Sequence, residues 1–193
     1  MKLRVVELLL VTTLPALFLA SDGVLNIGVT FWSLFGGTLA AGGANAFNMV
    51  IEAKSDQLMK RTSQRPIATG VISRNAGLVF AAIISLLSLI IFYIFTTPLA
   101  TLLTALAIIF YVFGYTIALK KHTSQNIVWG GIAGCMPVLI GQAAVTNSLT
   151  LTSWLFFLLI FFWTPPHFWA LAVRYKDDYE AAGIPMLPVV API

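Results

Sequence analysis

Six stretches of the chain, residues 5–20, 24–50, 76–95, 99–119, 127–145 and 149–173, hold between them a single Asp, Glu, Lys or Arg, namely Glu7. A helix needs about 20 mostly apolar residues to cross the hydrocarbon core of a bilayer, so each run predicts one transmembrane helix. Charged residues make up only 9% of the chain, where a soluble domain carries about a quarter. The predicted fold is therefore all-α, a polytopic transmembrane helical bundle of about six spans. The connections are short turns such as "SDG", "TTP" and "TNS", so residues 1–193 form one domain. Lys2 and Arg4 ahead of an apolar run imitate a signal peptide, but further spans follow, and an uncleaved first span is expected. Cys135 is the lone cysteine and lies in an apolar run, which leaves no intrachain disulfide or cysteine-based metal centre.

Charge then orients the bundle. Lys and Arg occur only at the N-terminus (Lys2, Arg4), after the second run (Lys54, Lys60, Arg61, Arg65, Arg74), after the fourth (Lys120, Lys121) and after the sixth (Arg174, Lys176). The positive-inside rule places all four regions on the cytoplasmic face of a cell membrane. The formal charge of +4 is thus a topology signal and predicts no nucleic-acid partner. Glu52, Asp56, Asp177, Asp178 and Glu180 gather on the same face. A transporter would instead carry ionisable groups near the midplane.

The polar end of the second span reads "ANAFNMVIEAKSDQLMKRTSQRPIATG". If helix continues to about Leu58, Asn48, Glu52 and Asp56 fall within an arc of about 80°, each about 6 Å beyond the last. One amide and two carboxylates suit a hard cation such as Mg2+, which takes oxygen ligands and shares its remaining positions with water and phosphate. Lys60, Arg61 and Arg65 follow at once, and an Arg fork grips phosphate through two hydrogen bonds. A solvated helix end with a basic loop would show the same residue types. Asn48 separates the two readings, because it lies deeper than the loop and polar groups inside a span are costly. After the sixth run stands a second mixed cluster, "VRYKDDYEAAGIPMLP", four spans further on. Taken as a pair, the clusters suggest an internal duplication whose half-sites hold a diphosphate between them.

At these residues the sequence resembles the UbiA-type intramembrane prenyltransferases, and within them the protohaem IX farnesyltransferase (haem O synthase) branch. The first family motif, Asn-x3-Asp-x3-Asp, stands here as Asn48, Glu52 and Asp56, followed by "MKRTSQRPIATG". The second stands as "YKDDYEAAGIPMLPVV", and "NIVWGGIAGCMPVLIG" and "FFWTPPHFWALAVRYKDDY" complete the likeness over nearly the whole chain. Two departures are visible. Glu52 replaces an Asp, and family members have nine spans, so the resemblance implies a C-terminally truncated chain lacking part of the wall around its substrates.

The resemblance implies transfer of a farnesyl group from farnesyl diphosphate to a vinyl group of haem B, with addition of water, giving haem O and diphosphate. It implies Mg2+ as cofactor, held by Asn48, Glu52, Asp56, Asp177 and Asp178. Lys60, Arg61, Arg65 and Lys176 would take the diphosphate, with Tyr179 beside the substrates. His167 follows two prolines that should kink the sixth span. It would contact haem iron or a propionate, or else bond carbonyls freed by the kink. Trp163, Trp169 and Tyr175 are expected as interfacial anchors, His122 as solvated, and Cys135 and Pro137 as packing and a kink. Glu7 would pair with a base or line the cavity. Haem A synthase or oxidase assembly factors are the implied protein partners. The competing readings are a quinone or chlorophyll-type acceptor, and a catalytically inactive fragment.

Overall fold

The computed structural model describes residues 3–191, and the side chains of residues 3–6 and 8 also lie outside the description. The topology expectation for Lys2 and for the Arg4 side chain therefore falls outside the described residues. Within them the chain is helical, with no strand. The elements are α1 (Leu3–Ala20), α2 (Ile27–Ile51), α3 (Ala53–Leu58), α4 (Arg74–Phe95), α5 (Pro98–Ile109) running into a π-helical segment (Phe110–Leu119), α6 (Asn126–Thr146), α7 (Leu151–Arg174), α8 (Lys176–Ala181) and α9 (Leu187–Val190). Five of the six expected spans are long and apolar enough to cross a membrane: α2, α4, α5 with its π segment, α6 and α7. α1 has 18 residues, and its apolar part is Leu9–Ala20.

The polarity of the bundle is inverted relative to a soluble protein. α4 exposes Val79, Ile83, Leu86, Ile90 and Ile94 and buries Gly77, Ala81, Ser85 and Ser88. In water such an apolar surface would be an aggregation hazard. In lipid it is the solvated face, and small residues let helix backbones approach. The α2–α4 seam shows this directly: the Ser88 hydroxyl donates to the Gly36 carbonyl at 2.7 Å. A methyl group at Gly43 would come within 3.1 Å of the Ser85 backbone nitrogen and 3.2 Å of the Ala81 carbonyl oxygen.

α6 is the central helix. Over its most apolar window 56% is buried, against 17% to 28% for the other four long spans. It packs on α1, α5, α7 and the π segment, and Leu17, Phe92, Ala100, Ile140, Ala143 and Ala144 form one buried cluster along it. Polar side chains close the short turns. Thr97 caps α5 by accepting from Ala100 N–H and also donates to the Ala143 carbonyl at 2.7 Å, tying α5 to α6. Thr150 and Ser153 form a reciprocal capping box at the start of α7. Both α6 and α7 run on through their prolines, Pro137 and the Pro165–Pro166 pair.

Candidate active site

The helix of the second span does not stop at Ile51. Glu52 stands between α2 and α3 with φ −91° and ψ 6°, yet its N–H donates to the Asn48 carbonyl at 2.9 Å and its own carbonyl accepts from Asp56 N–H at 2.8 Å. The four-residue hydrogen-bond step is kept across the junction, so the stripe Asn48–Glu52–Asp56 stays on one side. That side faces inward: the three residues are 0%, 3% and 3% exposed. A solvated helix end is thereby ruled out for these three, because ionised carboxylates are almost never this buried without partners.

The partners come from elsewhere in the chain. Lys120 Nζ lies 2.5 Å from Oε1 and 2.6 Å from Oε2 of Glu52, with hydrogen-bond geometry to Oε2. Arg65 Nη1 donates to Asp56 Oδ2 at 2.6 Å. Asn48 Nδ2 donates to Thr116 Oγ1 at 3.2 Å, and that hydroxyl donates to the Tyr111 carbonyl at 2.9 Å. Thr116 and Lys120 belong to the π-helical segment or its end, where Lys120 N–H bonds the Tyr115 carbonyl five residues back. π-helical turns inside α-helices recur at functional sites. Here the wider winding presents Thr116 and Lys120 together to the stripe.

The loop after α3 folds back over it. Ile67 packs with Val50 and Ala53, and Gln57 Nε2 donates to the Ala68 carbonyl at 2.8 Å. Met59 is buried with Ala172, Ile184 and Met186, packed also by Trp169 and Tyr179, which brings "MKRT" against the second motif. Arg61 lies 5.7 Å from the centre of the Tyr175 ring, and Arg174 lies 5.9 Å from it. Burial raises the Tyr179 phenol above its usual value; Arg61 opposes this, while Glu52, Tyr175 and Asp178 push further upward. Both motifs thus act on one phenol.

Other expectations meet a different outcome. Among the described residues no three or more His, Cys, Asp or Glu side chains are gathered to hold a metal ion. Glu52 and Asp56 are engaged by cations, Asp177 is exposed and Asp178 half-buried on α8. Lys60 and Arg61 are exposed, Lys176 half-buried. His167 is exposed and stacks on Trp163 at 4.3 Å and 18°; among the described residues its ring makes no hydrogen bond to a freed carbonyl. Trp169 packs inward beside Met59 instead of standing as an anchor, with its indole N–H buried and unpartnered. Tyr175 carries the two guanidinium contacts. His122 and Glu7 are exposed, and Cys135 is fully buried. A cavity of about 350 Å3 opens on the other side of α3, lined by Lys54, Gln57, Ser73 and Arg74 among others, and none of the expected site residues reaches it. The chemistry belongs with the buried stripe. Lys120, Thr116 and Tyr111 are the residues missed from sequence.

The stripe is chemically fitted to Mg2+. Asn48 spends its amide N–H on Thr116, which leaves Oδ1 buried without a donor. Glu52 Oε1 is faced by the Lys120 ammonium, 2.5 Å away, and would be open to a cation once that side chain swings aside. Buried acceptors are normally satisfied, and a hard divalent cation is the species that oxygen atoms so placed would take.

Residues 9–193 match the UbiA prenyltransferase family. Among curated proteins, the chain is 52% identical over 190 residues to the protoheme IX farnesyltransferase of Mycolicibacterium smegmatis, covering 98% of this chain and 62% of that protein. It is 50% identical, with the same coverage, to the protoheme IX farnesyltransferase of Streptomyces avermitilis. The chain therefore spans about three fifths of the length of these relatives. Among solved structures, it superposes with a TM-score of 0.79 and 18% identity on a UbiA homolog from Archaeoglobus fulgidus bound to DMAPP and Mg2+, covering 97% of this chain and 67% of that one. The apo UbiA homolog from Aeropyrum pernix gives a TM-score of 0.81 at 18% identity, covering 100% of this chain and 71% of that one. An inverted-polarity helical bundle, its buried amide-and-carboxylate stripe and a match over nearly its whole length agree: the chain is a multi-pass membrane protein of the UbiA prenyltransferase family.

Proposed function

We propose that the protein transfers a farnesyl group from farnesyl diphosphate to a vinyl group of haem B, with addition of water, yielding haem O and diphosphate. The observation that carries the proposal is the Asn48–Glu52–Asp56 stripe, buried at the basic end of the bundle with Lys120 and Arg65 paired to its carboxylates. The names of the relatives at 50% to 52% identity supply the acceptor.

The allylic C–O bond breaks heterolytically and its electron pair leaves with the diphosphate. The vinyl π electrons form the new C–C bond to the farnesyl C1, and water adds to the resulting cation with loss of a proton. Bound Mg2+ would neutralise charge developing on the departing diphosphate. Asn48, Glu52 and Asp56 would hold it, with Asp177 and Asp178 on a second ion or orienting water. Lys60, Arg61, Arg65 and Lys176 would fix the phosphate oxygens, so that leaving-group charge meets preorganised donors. Tyr179, kept protonated by burial, would donate a hydrogen bond at the substrate. His167 would meet haem from the exposed side of α7. The farnesyl tail is as apolar as lipid and can lie between spans.

The complete asymmetry of Lys and Arg supports a cytoplasmic site in the cell (inner) membrane. An apolar haem product in the bilayer supports hand-over to haem A synthase or oxidase assembly factors. Incubation with labelled farnesyl diphosphate and either haem B or an aromatic acid tests the reaction. Label in the haem fraction is expected; label only in the aromatic product would assign a quinone-type acceptor instead.

A further inference from the structure

We infer that Lys120 and Arg65 are resident counter-ions of the metal-binding carboxylates, so that divalent cation and diphosphate are taken up together and neither binds well alone. This rests on the function proposed above and adds Lys120 as a positioning residue.

The Glu52 and Asp56 side chains are 3% and 4% exposed, and their partners Lys120 and Arg65 13% and 14%. Two buried carboxylates and two largely buried cations sum to zero, so the stripe offers no net charge to an arriving Mg2+. The cation must displace both ammonium and guanidinium, and those charges would then stand unpaired in a low-dielectric interior, which is strongly unfavourable. A diphosphate removes the obstacle, because its oxygens accept the two displaced cations while the metal takes the carboxylates. The metal's two charges pair with the two carboxylates, and the two released cations offset part of the diphosphate's negative charge.

The backbone around Lys120 supports such a short swing. Its N–H is fixed to the Tyr115 carbonyl at 2.9 Å and its carbonyl accepts from Asn126 Nδ2 at 3.3 Å. Only the flexible stem moves. Arg65 sits in the separate loop that follows α3, so the two pairs come from independent elements. Asn48 Oδ1, already without a donor, needs no displacement.

The test is Mn2+ binding to the purified chain in nanodiscs, read as protein-bound Mn2+ after equilibrium dialysis, with and without inorganic pyrophosphate at equal concentration on both sides of the membrane. Pyrophosphate should tighten Mn2+ binding on the order of tenfold or more, within the usual range of coupling between sites. Lys120→Met should tighten Mn2+ binding in the absence of pyrophosphate and shrink the coupling, while Lys120→Arg keeps it. Should Lys120→Met fail to give folded protein, Arg65→Gln decides by the same measurement. Equal Mn2+ affinity with and without pyrophosphate, or a folded Lys120→Met protein with unchanged affinity and coupling, overturns the counter-ion inference and leaves the metal–diphosphate function standing. Absence of Mn2+ binding under every condition overturns both.

Discussion

Replacing Gly43 by Ala adds one methyl group at the α2–α4 seam, a little over one turn before Asn48. The new Cβ would collide with Ser85 Oγ and lie 3.1 Å from the Ser85 nitrogen and 3.2 Å from the Ala81 oxygen. The first contact is soft: the Ser85 hydroxyl is buried without a hydrogen-bond partner, so nothing holds it in place and it can rotate away. The other two are backbone atoms and cannot, so the helices must part by a few tenths of an ångström. Overpacking of this kind costs about 1–3 kcal/mol, and the better helix propensity of Ala returns up to about 1 kcal/mol. A net loss of about 1–2 kcal/mol is expected. Gly37 on the same helix has nothing within 4 Å of its added Cβ, so Gly37→Ala should be neutral or slightly stabilising. Equilibrium unfolding in mixed micelles measures both. Combining Gly43→Ala with Ser85→Ala should relieve little of the overpacking, since the two backbone contacts remain. Transfer activity should fall with Gly43→Ala, because the stripe shifts relative to Thr116 and Lys120. Equal stabilities for Gly43→Ala and Gly37→Ala would refute the close-packed seam.

Further outcomes concern the site itself. Asp56→Asn should abolish transfer at saturating Mg2+ while the protein still inserts into membranes; retained turnover would remove that carboxylate from the mechanism. Thr116→Val keeps the shape but strands the Asn48 amide N–H in a buried place, so a loss of about 1–3 kcal/mol is expected on chemical or thermal unfolding, together with weaker Mn2+ binding. The Tyr179 phenol is raised in the fold, so its tyrosinate absorbance should appear only above the usual value near 10. Its contribution to stability is then fully present below that ordinary value and lost as pH rises through the folded one. A Tyr179→Phe protein should lack that alkaline phase.

The spans and the stripe were legible because both are local patterns. Apolar run length marks each helix, and the spacing of 48, 52 and 56 needs only a helical step that survives the Glu52 junction. The partners of the stripe were not legible. Lys120 is 68 residues from Glu52, and it reads as a loop charge unless the π-helical register of Phe110–Leu119 is known. A shift to five-residue hydrogen bonding changes which side chains face inward, and no propensity in "FYVFGYTIAL" announces it. Trp169 misled for a related reason: aromatic residues near span ends suit the interface equally well, and only the fold-back of Met59 onto α7 draws it inward. The second carboxylate pair was legible as a motif, but its distance from the first is a tertiary property of α8.

Diffraction from crystals grown with Mn2+ and a non-hydrolysable farnesyl diphosphate analogue, collected at the manganese absorption edge, tests the central claim most directly. An anomalous peak ligated by Asn48, Glu52 and Asp56 is expected, with Lys120 and Arg65 turned from the carboxylates towards the diphosphate. A peak remote from all three residues, with both ion pairs intact, would contradict it.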